Sequence, residues 1–262
     1  AVVPLVKAMQ DARGRLLEDF HDALVAITGY KFGLDPANWQ AWLDETGGEI
    51  TRNPKPRKNE TPYVTYHKIK TRSKNMMFII DISGSMAEKV AASASRYLGE
   101  GADVKGDTKL AFVKAELIRT IKSLPDDAKF DIITFEKEAK YWRGAQTLAD
   151  EKGKKQAVNF VDNLNANGGT NVYEALQYAY GKLRQNTGYF PHDRSPDTMF
   201  LLSDGMPTVG AILEPAKLVS MVTRLNRTRQ VVINTIGVGS DAAPLLKPLA
   251  EKNSGKYILI AQ

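Results

Sequence analysis

The chain reads as an α/β protein: a doubly wound, mostly parallel sheet with helices on both faces, preceded by a small helical segment. Three observations predict this. Met76 to Ile80 is a nearly continuous apolar run, the pattern of a strand buried on both faces. From there to the C-terminus, β-forming runs alternate with amphipathic helices, which is how parallel strands are joined. Two of the strands end abruptly in Ser, Asp and Gly, residues suited to the ligand crevice at the carboxyl edge of such a sheet.

The totals fit one large or two unequal domains: 262 residues, 43% hydrophobic, with no stretch long enough to span a membrane. The net charge of +6 is spread along the chain. It favours acidic partners and carries no nucleic-acid signature. With no Cys, disulfides and thiolate metal sites are excluded. The chain starts with Ala1 in mid-helix pattern, as a processed chain or a piece of a longer protein would. The compartment stays open, with an extracytoplasmic one favoured, and a monomer is expected.

Residues 1–48 predict helices. Val2, Val3, Leu5, Val6 and Met9 form one apolar stripe, and Leu16, Leu17, Phe20, Leu24 and Ile27 form the next, stopped by Gly29. Asp35-Pro36 is a helix start, and the helix it opens carries Trp39 and Trp42 on one face as packing groups. Residues 49–62, with Arg52, Pro54, Lys55, Pro56, Arg57 and Lys58, read as a basic linker. The domain proper then runs over 63–262. Tyr63 to Ile69 alternates as an edge or lead-in strand.

After the Met76 strand, a helix is expected over Thr108 to Leu124, stopped by Pro125. Phe130 to Phe135 is the next strand, with Ala139 to Trp142 as a short antiparallel return. Lys154 to Leu164 and Asn171 to Gln185 are helical, and Thr198 to Leu202 is a strand. Pro215 to Leu225 and Pro244 to Ala250 are helices, with strands at Val231 to Val238 and Tyr257 to Ile260.

Oxygen chemistry collects at the strand ends. Asp81, Ser83 and Ser85 follow one strand within five residues. Thr170 follows Gly168-Gly169 at a helix start, and Asp204 ends the strand at Leu202 as Asp81 ends its own. Singly, these are ordinary turns and caps. Together they are two carboxylates and three hydroxyls on loops at one edge of a sheet, a donor set for Mg²⁺ or Mn²⁺.

The pattern Asp-x-Ser-x-Ser, a later Thr after Gly-Gly and a later Asp in Ser-Asp-Gly resembles the von Willebrand factor A domain, over about residues 75–262. The resemblance implies six strands with one antiparallel edge. It implies that Asp81, Ser83, Ser85, Thr170 and Asp204 form a metal-ion-dependent adhesion site, one Asp acting through water, where a protein partner donates an Asp or Glu to the ion. The run from Asp197 to Gly210, the Asn226-Arg227 helix end and Val232 to Gly239 look like bacterial proteins that join helical HEAT-type repeats to such a domain, with Leu5 to Leu43, inside the helical segment 1–48, resembling the final repeat and its Trp-bearing connection. The Ser-, Gly- and Ala-rich passage from Glu88 to Asp107 departs from the family, whose corresponding helix begins almost at once. Two rival functions remain: a scaffold with a non-exchanging metal, and a metal-assisted hydrolase. The hydrolase lacks a base, since His21, His67 and His192 do not adjoin the metal segments in sequence.

Overall fold

The computed structural model describes residues 1–12, 14–50, 63–181 and 196–260. They fall into two compact units, Ala1–Tyr63 and Val64–Gln262. Most of the linker assigned to 49–62, and the connection carrying His192, lie outside the described residues.

The first unit holds α1 (Val2–Asp11), α2 (Arg15–Thr28) and α3 (Pro36–Thr46). Its core is aromatic: Tyr30, Phe32, Trp39 and Trp42 pack edge-on or tilted beside Val6, Met9 and Leu24. The indole of Trp39 donates to the Gly33 carbonyl at 2.8 Å, which satisfies its one polar atom in the core. Asp35 caps α3 through the amide of Ala37 at 2.9 Å, and Gly29 closes α2 in the left-handed region at φ 73°. The second apolar stripe is narrower than its periodicity predicts. Leu24 is buried, whereas Leu16 and Ile27 are exposed, because they flank the face that meets the other helices.

The second unit contains a sheet of seven strands among the described residues, ordered β5-β4-β3-β7-β8-β9, with β6 also on β4. The strands are β3 (Asn75–Asp81), β4 (Lys129–Phe135), β5 (Ala139–Tyr141), β6 (Thr147–Leu148), β7 (Thr198–Ser203), β8 (Val232–Val238) and β9 (Tyr257–Ile260). The run β4-β3-β7-β8-β9 is parallel, and β5 and β6 return antiparallel along β4. The six-strand expectation missed β6, two residues too short to show a period.

Period-two alternation divides the central strand between two cores. Met76, Phe78 and Ile80 join α4 (Lys109–Ser123) and α5 (Glu151–Asp162) on one face. Met77 and Ile79 join α6 (Val172–Ala179), α7 (Pro215–Arg229) and α8 (Ala243–Glu251) on the other. Helix α6 ends at Ala179; Gln185, where sequence periodicity would carry it, is outside the described residues.

The lead-in strand of the sequence reading is a hairpin instead. β1 (Val64–Tyr66) pairs antiparallel with β2 (Ile69–Thr71), a two-stranded sheet of its own. The turn residues His67 and Lys68 both have positive φ, 44° and 67°, as a two-residue primed turn requires. The hairpin is fastened to α4 by Glu116, which is fully buried. Its carboxylate accepts from the amides of His67 at 3.1 Å and Gly99 at 2.8 Å and from the Arg119 guanidinium at 2.8 Å. Arg119 in turn donates to the Thr65 carbonyl. Burial lowers the His67 imidazole to a pKa of about 4, a fall that the nearby Glu116 charge only partly opposes, so the ring is neutral at pH 7.

Two outcomes test this architecture. A protein spanning residues 63–262 should melt in one cooperative transition, because its strands and helices carry their own core; a gradual, non-cooperative melt would show otherwise. Glu116→Ala should lower stability by about 3 kcal/mol in denaturant unfolding, since it leaves two amides without their acceptor and takes the carboxylate away from the partly exposed Arg119 guanidinium. A loss within error of zero would remove Glu116 from that role.

Candidate metal centre

The crevice opens where strand order reverses. β3 connects leftward through α4 to β4, whereas the chain later returns as β7 on the other side of β3. Ligands bind at such switch points, beyond the carboxyl ends of the strands. Register puts Ile80 opposite Leu202, so Asp81 and Ser203 leave the two strands level with one another.

Asp81 is fully buried. Its Oδ1 accepts the Ser83 amide at 2.8 Å, a local turn that reverses the chain immediately after the strand. Its other oxygen accepts the Ser203 hydroxyl. Gly84–Ala87 then makes a 3₁₀ turn, anchored by the buried Met86 in the core shared with α4. That turn sets the hydroxyls of Ser83 and Ser85 3.3 Å apart, and Ser85 donates to Asp204 Oδ1 at 2.8 Å. Asp81, Ser83, Ser85 and Asp204 are thus linked by direct hydrogen bonds.

Thr170 comes to the same edge through its loop. The Gly168 carbonyl accepts from the Gly84 amide at 3.1 Å, and the Asn167 amide donates to Ile82 at 2.8 Å. Gly168 sits at φ 75°, in the left-handed region that favours glycine. Thr170 is 4% exposed, with its amide held by the Thr208 hydroxyl at 2.8 Å and its carbonyl by the Thr208 amide at 3.0 Å.

Four participants went unread in the sequence: Ser203, Thr208, Glu88 and Lys109. Lys109 is the first residue of α4 and is 4% exposed. Its ammonium lies 2.9 Å from Asp204 Oδ2 and 2.7 Å from Glu88 Oε2. Burial works against the lysine charge, but hydrogen bonds to Glu88 and Asp204 outweigh it, and its pKa is raised. The one sequence signal is weak: a cation in the first turn of a helix opposes the macrodipole, a small cost that solvent can meet.

The Asp81 carboxyl is pushed up to about 6, chiefly by burial and further by the charge of Asp204, against the donors Ser203 and Ser83. Among the described residues no cluster of three His, Cys, Asp or Glu side chains could hold an ion. Any cation here must rest on hydroxyls beside two carboxylates. Asp81, Ser83, Ser85 and Asp204, with Thr170 from the adjoining loop, fit a hard cation in two respects. All offer oxygen, and a protein cation, the Lys109 ammonium, already sits on one of the carboxylates. The imidazole of His67 is stacked on Phe112 in the core, engaged in packing.

A pH prediction follows. Because the folded-state pKa of Asp81 lies above its ordinary value of 3.8, the fold binds more protons than the unfolded chain between about pH 4 and 6. The favourable contribution is complete below pH 4 and is lost as pH rises through 6. With chelator present at pH 7.5, Asp81→Asn should therefore melt about 5 °C above wild type. At pH 4 the gap should close. A lower melting point for Asp81→Asn at pH 7.5 would contradict the burial cost.

Comparison with known proteins places the chain. Residues 75–262 match the model of the von Willebrand factor type A domain. Inter alpha-trypsin inhibitor heavy chain 4 of Mus musculus is 30% identical over 202 residues, covering 75% of this chain and 19% of that protein. Inter-alpha-trypsin inhibitor heavy chain H1 of Mesocricetus auratus is 31% identical over 185 residues, covering 70% of this chain and 18% of its own length. The chain thus spans less than a fifth of the length of these curated relatives. A solved structure of a von Willebrand factor type A protein from Catenulispora acidiphila superposes with a TM-score of 0.53 at 22% identity, over 74% of this chain and 40% of that one, which speaks to the fold alone. With the family model matched from β3 to the C-terminus, on a sheet of the order described above, this chain belongs to the von Willebrand factor type A domain family.

Proposed function

We propose that this domain is a divalent-metal-dependent protein-binding module. In this reading Asp81, Ser83, Ser85, Thr170 and Asp204 hold Mg²⁺ or Mn²⁺ as a metal-ion-dependent adhesion site, and a partner supplies an Asp or Glu side chain to it. Domains of this family mediate protein–protein interaction and adhesion, which sets the class. The observation that carries the finer reading is the hydrogen-bonded convergence of Asp81, Ser83, Ser85 and Asp204 at the switch point of the sheet.

Charge accounting supports it. Two carboxylates and three neutral hydroxyls leave a bound dication electrophilic, and an incoming carboxylate contributes both charge and a hard oxygen. The protein's part is orientation: Ser83 and Ser85 are fixed by the 3₁₀ turn, and Thr170 by Thr208. The net charge of +6 steers an acidic surface toward the domain, an effect screened at physiological salt. The helices before Gly48, read as the end of a repeat array, offer a second surface. Their support is the paired amphipathic helices α1 and α2.

The decisive measurement is affinity for a captured partner, with wild type and Asp81→Ala, each in Mg²⁺ and in EDTA. Binding should be confined to wild type in Mg²⁺. Thr170→Ala should weaken it about tenfold without moving the melting temperature by more than a degree or two, because it removes one ligand and little core volume. Equal affinity in all four arms would end the metal-bridge reading. Metal-raised melting without metal-dependent binding would identify a scaffold whose ion does not exchange ligands.

A further inference from the structure

We propose that Lys109 is a built-in competitor for the cation site: a resident positive charge that holds Asp204 when no metal is present and lowers the affinity of the metal when it comes. The inference rests on the metal reading above and concerns this chain's own residues.

Lys109 is placed where a lysine is least expected. It opens α4, where the helix dipole is positive, and its ammonium is buried. Both features cost free energy unless carboxylates compensate. Asp204 Oδ2 at 2.9 Å and Glu88 Oε2 at 2.7 Å do so. The two partners differ sharply. The Asp204 side chain is 1% exposed, in the crevice, whereas that of Glu88 is 64% exposed. Asp204 is also the carboxylate whose Oδ1 receives the Ser85 hydroxyl. One carboxylate is therefore shared between the proposed ligand set and a protein cation.

A dication held by Ser85 and Asp204 is one carboxylate away from the lysine charge, and the two repel. Binding must overcome that repulsion or relax it by letting Lys109 move off Asp204. Glu88 provides the place to go, since it already holds the ammonium. Glu88 is itself tied to α4, because its carbonyl accepts the Lys109 amide at 2.8 Å. The Glu88–Asp107 passage is clamped at its base by Lys89–Asp107 at 2.7 Å and by the Val90 amide on the Asp107 carbonyl at 2.9 Å. The Glu88–Asp107 passage thus begins at the residue that would receive the displaced charge.

A positioning role for Lys109 predicts the opposite sign. If the lysine merely oriented Asp204 for metal, losing it would weaken metal binding. Competition predicts that losing it tightens binding, while the metal-free protein becomes less stable.

The test is Mn²⁺ titration by calorimetry and by electron paramagnetic resonance of free Mn²⁺, with thermal melts in EDTA, on wild type, Lys109→Met and Glu88→Gln. Lys109→Met should bind Mn²⁺ about tenfold or more tightly and melt below wild type in EDTA, recovering when Mn²⁺ is added. Glu88→Gln, which keeps the lysine and removes its refuge, should bind about threefold more weakly. Wild type that binds Mn²⁺ while Lys109→Met binds it equally or less tightly would overturn the competition and leave the metal reading standing. No Mn²⁺ binding by any of the three proteins would overturn both. Should Lys109→Met fail to fold, unchanged or tighter binding by Glu88→Gln would by itself refute the proposal.

Discussion

Asp81 and Asp204 follow two neighbouring parallel strands, so the pairing that builds the sheet also draws two carboxylates out of water side by side. Ionised carboxylates cannot stay buried without donors and positive charge. Much of the surrounding chain can be understood as an answer to that demand. Ser203 and the Ser83 amide serve Asp81; Ser85 serves Asp204. Lys109 brings a whole charge, and the positive end of α4 comes with it. Even so, Asp81 remains harder to ionise than an ordinary carboxyl. The crevice thus keeps a demand for cation that its own residues meet only in part.

A second buried carboxylate in the same unit shows what full compensation looks like. Glu116 is closed off by Arg119 and by two backbone amides. Its partners come from the β1–β2 hairpin, the Glu88–Asp107 passage and α4, so one side chain fastens three pieces of chain. The guanidinium is planar, permanently charged and bound through two nitrogens, which suits a permanent joint. Lys109 is a single-point cation divided between two carboxylates, one of them exposed. Helix α4 carries both arrangements: a closed pair that secures structure and an open one beside the crevice.

The strand–helix alternation was legible because parallel strands are apolar on both faces and their helices are amphipathic. Asp81, Ser83, Ser85 and Asp204 stand out as candidates because short polar side chains follow apolar strands, and Thr170 because it follows Gly168-Gly169 at a helix start. What escaped depends on distance across the fold. β6 is two residues long, and its pairing is decided by β4, not by its own pattern. The His67-Lys68 turn lacks the Asn-Gly signal of its type, and the Glu116–Arg119 joint holds the hairpin around it. Lys109 reads as an ordinary exposed lysine until β7 delivers Asp204, 95 positions further along, to its ammonium.

That separation also orders events in time. Ser203 reaches back 122 positions to Asp81, and Asp204 reaches back 119 to Ser85. Contacts this far apart must overcome loop-closure entropy, and parallel β-pairing of high contact order is slow. β3, α4 and β4 can assemble from neighbouring sequence as the chain emerges, whereas the crevice has one carboxylate until β7 docks between β3 and β8. On the ribosome, the second carboxylate joins the crevice only after β7 has been synthesised. The pairing of the two carboxylates is therefore acquired late, and it marks the docking of β7 on β3.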